Sequence, residues 1–200
     1  FPTASWDYTP AIFDEDDELA KEFCQEIGPI SLFLKGAFSR KLGGSADNGA
    51  MDAIFSPIEL GWGYSLCFDH EFPGSDILKE EKLNPKRKIC TLVWNDEDVA
   101  DVNASYYREG ELYKNFVMPR DYEIAPDKVL FNGKQVGISM SRAYSVYLRK
   151  MISLCVLDVD LLTLDTEVEV IWGYKGQAQK SIRAKVAPAP IYNPNKKRNL

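Results

Sequence analysis

Two rhythms of apolar residues divide the chain. The first is helical. In "DEDDELAKEFCQEIGP", Leu19, Phe23 and Ile27 recur every four residues, which places them on one helix face. Acids crowd the first turn, where the helix dipole favours them, and Gly28-Pro29 ends the pattern. A second, shorter helix is predicted over "GSDILKEEKL", with Ser75 or Asp76 near its N-cap and Asn84-Pro85 as its stop. Between the two, "GGSADNG" (Gly43 to Gly49) reads as a flexible loop. It lacks the Lys-Ser or Lys-Thr of a phosphate-cradling loop. The stretch "IELGWGYSLCFDHEF" reads as an extended, partly buried segment.

The second rhythm has a period of two and starts at about Lys86. "KRKICTLVW" is a basic-to-apolar strand. "KVLFNGKQVGISM" is two strands joined at Asn132-Gly133, a strong hairpin signal. "KMISLCVLDVD", "TEVEVIW" and "SIRAKVAPAP" follow, the last after the turn "GYKGQAQ". A long excursion, "NDEDVADVNASYYREGELYKNFVMPRDYEIAPD", carries one helix candidate (Asp96 to Tyr106) and then irregular chain. Short, closely spaced strands indicate an antiparallel barrel or sandwich. The predicted class is therefore α+β: mainly an antiparallel β-barrel, preceded by a helix-bearing segment. The chain shows no internal repeats.

Composition narrows the function classes. The chain has 200 residues and a net charge of −6, which disfavours a general nucleic-acid or membrane-surface role. No apolar run approaches the roughly 20 residues that span a bilayer, and no signal-peptide pattern is present. The first residue is Phe1, which suggests a chain that begins inside a longer product or after processing. Cys24, Cys67, Cys90 and Cys155 are irregularly spaced and read as reduced, mostly buried thiols of a cytoplasmic protein. One histidine and scattered cysteines do not suggest a metal site.

The richest chemistry lies in "SPIELGWGYSLCFDHEFPGSDIL", Ser56 to Leu78. It holds the sole histidine, His70, between Asp69 and Glu71, with Cys67 close by. Covalent catalysis here is disfavoured: there is no nucleophile elbow, and in a strand Cys67 and His70 would face opposite ways. Asp69 and His70 fit better as a hydrogen-bonded turn leading into the next helix. Trp62, between two glycines, fits either a core aromatic or a flat wall beside an aromatic ligand. "SMSRAYSVYLRKMISL" carries Arg142, Tyr144, Tyr147 and Arg149. It fits a carboxylate-binding turn or, more simply, a solvated loop with Tyr rings packed on the barrel rim. The acid run Asp14 to Glu18 reads as a solvated helix start, and the basic tail Asn193 to Leu200 as solvated chain.

"ELGWG…FDHEFPG", "SLFLKGAFS", "CTLVWNDEDVADVNAS" and "VIWGYKGQAQKSIRAKVAPAP" together resemble the glycine cleavage T-protein (aminomethyltransferase) superfamily. They are most similar to its tetrahydrofolate-dependent vanillate- and syringate-type O-demethylases. The resemblance covers nearly the whole chain. It implies transfer of a methyl group from a methoxy-arene to tetrahydrofolate. It also implies residues 1–55 as the end of the folate-binding second domain, 56–85 as a connector, and 86–200 as the C-terminal barrel. Catalytic residues are expected in N-terminal domains outside this chain, present on the same polypeptide or on a separate folate-binding subunit. Trp62, Arg142 and Tyr144 are the candidate cofactor-wall residues, with no metal. This sequence departs from the family where Phe-Ile-Gly-Arg becomes Phe72-Pro73-Gly74-Ser75, and where a barrel-turn Ser-Gly becomes Ser141-Arg142. Two alternatives stay open: a non-catalytic barrel that docks on a partner, and aminomethyl transfer of the glycine cleavage type.

Overall fold

The computed structural model describes residues 41–48, 54–116 and 123–189, together with Gln25 and Asp52. Gln25 is helical, and the rest of the helix expected over Asp14 to Gly28 lies outside the described residues, as do "SLFLKGAFS" (31–39) and the basic tail. The described elements are β1 (Lys41–Leu42), α1 (Ser75–Leu83), β2 (Arg87–Trp94), α2 (Asp96–Ala104), β3 (Glu123–Ile124), β4 (Asp127–Phe131), β5 (Lys134–Ser145), β6 (Lys150–Asp158), β7 (Glu167–Trp172) and β8 (Lys180–Ala187). Strands β2-β6-β5-β4-β7-β8 form a closed barrel in which every neighbouring pair is antiparallel. Strands β1 and β3 make a separate parallel pair. The α+β class built on an antiparallel barrel is the observed architecture. Among the described residues no helix is long and apolar enough to cross a membrane.

Closure follows from alternation. Along β7, Val168, Val170 and Trp172 are buried while Glu167 and Glu169 face water, and β8 alternates Ile182, Ala184 and Val186 with Ser181, Arg183 and Lys185. With a period of two, every second residue of each strand joins one interior. That interior also takes Leu92, Trp94, Val129, Cys155 and Leu157. The β4–β5 turn holds Asn132 at φ 51° and Gly133 at φ 76°, the left-handed pair that matches strand twist in a two-residue hairpin.

Helix α2 closes one end of the barrel. Its Val102 is fully buried in the barrel core, and Val99 packs beside it. Asn95 caps the helix, its Oδ1 accepting the N–H groups of Glu97 (3.0 Å) and Asp98 (3.1 Å). The helical part ends at Ala104, and a 3-10 turn, Ser105–Tyr107, carries the chain on. Ion pairs then fasten the helix to two strands: Asp98 with Arg183 of β8 (2.9 Å), Asp101 with Lys180 of β8, and Asp96 with Lys150 of β6. The Arg183 hydrogen bond holds the Asp98 carboxyl below its usual range, against the opposing effect of burial. A carboxylate with a depressed folded pKa contributes stability above its unfolded pKa of about 4 and loses it as pH falls through the folded value. Asp98→Asn is therefore expected to lower stability at pH 7 and to have little effect once the pH is well below 4. Urea unfolding at several pH values reads this difference. A gap that stays constant with pH would assign the loss to packing instead.

A second layer covers the outside of β5 and β6. Ile138, Met140 and Val156 point away from the barrel interior and bury Ala46, Phe55 and Leu60, with Trp62 packed against them. Segment 43–48, expected to be a flexible loop, is part of this clamp. Ser45 is fully buried and Ala46 nearly so. The Ala46 N–H donates to Pro126 O (3.0 Å) and the Ser45 N–H to Asp127 Oδ1 (3.2 Å), while Ser45 Oγ accepts from the Lys128 N–H (2.9 Å). The Lys175 N–H donates to Gly44 O (3.1 Å). Short polar residues serve here because the backbone of the segment lies flush on β4 and its neighbours.

Candidate functional site

The site is made by an irregularity in β5. Met140 pairs with Leu154 and Ala143 with Ile152, so Ser141 and Arg142 both stand opposite the single residue Ser153. Ser141 takes φ 43°, a left-handed conformation that a serine holds only where its surroundings impose it. Such a bulge shifts the alternation of the strand. Arg142, which a regular strand would turn outward like Met140, instead lies over Trp172, its guanidinium carbon 4.2 Å from the ring centroid. Its Nε and Nη2 atoms are buried.

An aromatic cluster supports that arginine. The Trp172 ring is 5.0 Å from Phe116 and 5.8 Å from Trp94, edge-on to the latter. Trp172 Nε1 donates to Lys114 O at 2.7 Å, and Trp94 Nε1 donates to Ser153 Oγ at 2.9 Å, which also accepts from Ser139. Both indole N–H groups are thus satisfied inside the barrel, as buried Trp requires. Lys114 Nζ sits 3.8 Å from the Tyr174 centroid. Arg142 and Lys114 thus both stand over the Trp172 ring, a pair of cation–aromatic contacts that favours negative charge nearby.

The other two sequence candidates lie elsewhere on the domain. Trp62 is half-buried against the outer layer of β5 and β6, and its backbone N–H donates to Pro57 O at 2.7 Å. Tyr144 follows Arg142 on the part of β5 that runs past the bulge, and it is exposed. Trp62 packs on the outer side of β5 and Arg142 lies on its inner side, so these two candidates are on opposite faces of the sheet.

The stretch around His70 differs from expectation. It is not extended: the backbone turns through residues 57–61, forms a 3-10 turn at Gly63–Ser65 and then bends at 69–70. His70 is exposed with its ring 5.7 Å from Phe72, and neither Asp69 nor His70 makes a side-chain hydrogen bond among the described residues. Cys67 is exposed as well, unlike Cys90 and Cys155, which face each other across β2 and β6. Burial, and then the Cys90 thiol, push the Cys155 thiol well up, which keeps it protonated and inert. Cys24 is outside the described residues. Among the described residues no three His, Cys, Asp or Glu side chains group as a metal site would need. At the following helix Gly74, at φ 83°, is the N-cap without a side-chain bond, and Ser75 is the first helical residue and buried. Neither Ser75 nor Asp76 caps it.

Glu59, not His70, forms the joint between connector and barrel. Its Oε2 accepts the Ser56 N–H (3.0 Å), and Ser56 Oγ accepts the Glu59 N–H (3.1 Å), a reciprocal box around the turn. Glu59 Oε1 meets Arg87 Nε of β2 at 2.7 Å, and Glu59 O accepts the Ile89 N–H at 2.8 Å. The signal was available as Ser56-x-x-Glu59. We expect Glu59→Ala to destabilise the domain by about 2 kcal/mol, the typical loss for a part-buried charged hydrogen-bonding group, as read by urea unfolding. A loss of a few tenths would show the joint to be held by apolar contact alone.

No protein-family model matches the chain. Over 206 aligned residues, 96% of this chain, it is 33% identical to a sesamin methylene transferase from Sinomonas sp. (strain No.22). Over 68% of the chain it is 33% identical to a syringate O-demethylase from Sphingobium sp. and 29% identical to an aminomethyltransferase from Geobacillus sp.. A glycine cleavage system aminomethyltransferase T from Bartonella henselae superposes with TM-score 0.45 at 15% identity, over 68% of this chain and 32% of that one. The chain spans 44% of the length of the sesamin methylene transferase and 32% of the syringate O-demethylase. The chain is thus similar to parts of a methylene transferase, an O-demethylase and an aminomethyltransferase.

Proposed function

We propose that this chain is the barrel portion of a cytoplasmic one-carbon transferase that passes a methyl group from an aromatic methoxy compound to tetrahydrofolate. The observation that carries the reading is the similarity over 96% of the chain to a methylene transferase, joined by an O-demethylase over two thirds of it. Both names place a one-carbon unit in the reaction. In this reading residues 1–55 close the folate-binding domain, 56–85 connect, and 86–200 form the barrel that walls the site. The mouth suits the cofactor's chemistry. Tetrahydrofolate carries glutamate carboxylates and a flat heterocycle; a guanidinium takes a carboxylate in two parallel hydrogen bonds, and Arg142 is already held over Trp172. Tyr144, exposed past the bulge, and Trp62, on the outer side of β5, are carried in this reading as further candidate wall residues. These residues bind and orient; rate in such a transfer comes from alignment of donor and acceptor and from protonation of the departing phenolate. The proton donor is assigned to no residue of this chain.

Calorimetric titration of tetrahydrofolate into the full-length protein that carries this chain tests the reading. Binding is expected, weakened about 10- to 100-fold by Arg142→Gln, the loss of one charge-assisted contact. A folded protein that takes up no tetrahydrofolate would sink the folate assignment. Unchanged affinity in the variant would remove Arg142 from the site.

A further inference from the structure

A chain of hydrogen bonds crosses the barrel interior beneath the bulge. Ser139 of β5 and Ser153 of β6 are both buried, and the Ser139 hydroxyl donates to Ser153 Oγ at 2.8 Å. Trp94 of β2, also buried, donates its indole N–H to the same Oγ at 2.9 Å. One hydroxyl thus ties three neighbouring strands together. Its surroundings are apolar: Leu92 stands opposite Ser153 on β2, and Cys155 follows it on the same face of β6. Apolar groups of similar shape can replace a hydrogen-bonded pair at little cost, so stability alone does not account for the two serines.

We infer that Ser153 is the positioning residue of Arg142. The place of the network selects this role. Ser141 and Arg142 share Ser153 as their single partner across the sheet, so the hydroxyl lies where β5 departs from regular pairing. Ser141 holds φ 43° there, a conformation that its surroundings must impose. The bond from Ser139 pins β5 two residues before that point. The bond from Trp94 fixes the other end. Its ring stands edge-on to Trp172 at 5.8 Å, and Trp172 is the surface on which the Arg142 guanidinium rests, 4.2 Å from the ring centroid. Ser153 therefore holds both the backbone that carries Arg142 and the aromatic pair that receives it. For ligand binding the inference rests on the proposed role of Arg142; for the placement of Arg142 it stands without that role.

Magnetic resonance of the full-length protein that carries this chain, with its arginines labelled with nitrogen-15, reads the placement. The ring current of an indole face shifts an N–H above it upfield. The Arg142 Nε–H signal, identified by its loss in Arg142→Gln, is therefore expected upfield of the other arginine signals. Ser153→Ala is expected to move it back toward them, while the signals of Arg87 and Arg183, held by Glu59 and Asp98, stay in place. Trp94→Phe keeps a ring and removes the indole donor; it is expected to move the signal the same way, and it carries the test where Ser153→Ala does not fold. An Arg142 signal that stays put in the folded variant overturns the inference. Titration with tetrahydrofolate then completes a double-mutant cycle. Ser153→Ala is expected to weaken binding about fivefold, in line with the loss of one hydrogen bond. In the Arg142→Gln background the loss is expected to be less than about twofold, because both changes act through one contact. Equal losses in the two backgrounds make Ser153 a structural residue only and overturn the inference. A protein that takes up no tetrahydrofolate removes the folate reading, and the Arg142 signal alone then decides this one.

Discussion

Gly44→Ala is expected to cost about 3 kcal/mol, far more than an exposed glycine substitution. Gly44 holds φ +84°, and a Cβ built there meets the Pro126 carbonyl oxygen well inside contact, with the Pro126 carbonyl carbon at 2.8 Å and the Ala125 carbonyl carbon at 3.0 Å. Backbone cannot rotate away as a side-chain end can. Left-handed strain in a non-glycine residue accounts for about 1 kcal/mol of the expected loss, and forced separation of packed groups for the rest. Separation also takes the bonds of Ser45 and Ala46 to the barrel with it. Gly176→Ala is the control: its φ is +82° but its Cβ meets nothing within 4 Å, so about 1 kcal/mol is expected. Urea unfolding of both variants gives the comparison, and hydrogen exchange at the Ala46 amide reports whether the segment has lifted. Equal losses would mean that close approach to Pro126 contributes nothing.

Trp172→Ala is expected to cost about 3–5 kcal/mol, the range for removing a large buried aromatic. The ring is fully buried, donates to Lys114 O, and touches the rings of Trp94 and Phe116 and the guanidinium of Arg142. Its loss empties the barrel mouth and removes the surface that holds the arginine. Trp172→Phe keeps an aromatic face for Arg142 but leaves Lys114 O without its indole donor. About 1–2 kcal/mol is expected there. Thermal unfolding ranks the pair. Near-equal stability of wild type and the Ala variant would show that the mouth collapses freely and that the cluster is not part of the core.

The two variants probe parts of the chain that differ in how far the sequence announces them. Trp172 closes "TEVEVIW", whose alternation of acid and apolar residues assigns each side chain to a face without any knowledge of the fold. The Asn132-Gly133 hairpin is equally local, because both residues reach positive φ at low cost and two residues span the turn. Segment 43–48 is the opposite case. Its glycines and short polar residues suggest a free loop, yet Ser45 bonds to Asp127, 82 positions away. A polar residue next to its distant partner is indistinguishable from one next to water until the chain is folded. His70 shows the reverse error: a local concentration of reactive side chains invites a site, while the turn of the backbone leaves them in solvent and gives the joint to Glu59 and Arg87.

The sequence by itself determined the six barrel strands in outline, the helices α1 and α2, the hairpin turn and the α+β barrel class, because these depend on periodicity and on backbone preferences within a few residues; the short strands β1 and β3 and the run of β5 past Ser141 were not legible there. Only the tertiary structure decided which strands close the barrel, that a bulge at Ser141 turns Arg142 onto Trp172, and that Trp62 belongs to the outer layer. The physical reason is the period of two. One extra residue in a strand shifts the face of the side chains beyond it, and the partner strand, against which Ser141 and Arg142 share the single Ser153, is set only when the sheet forms.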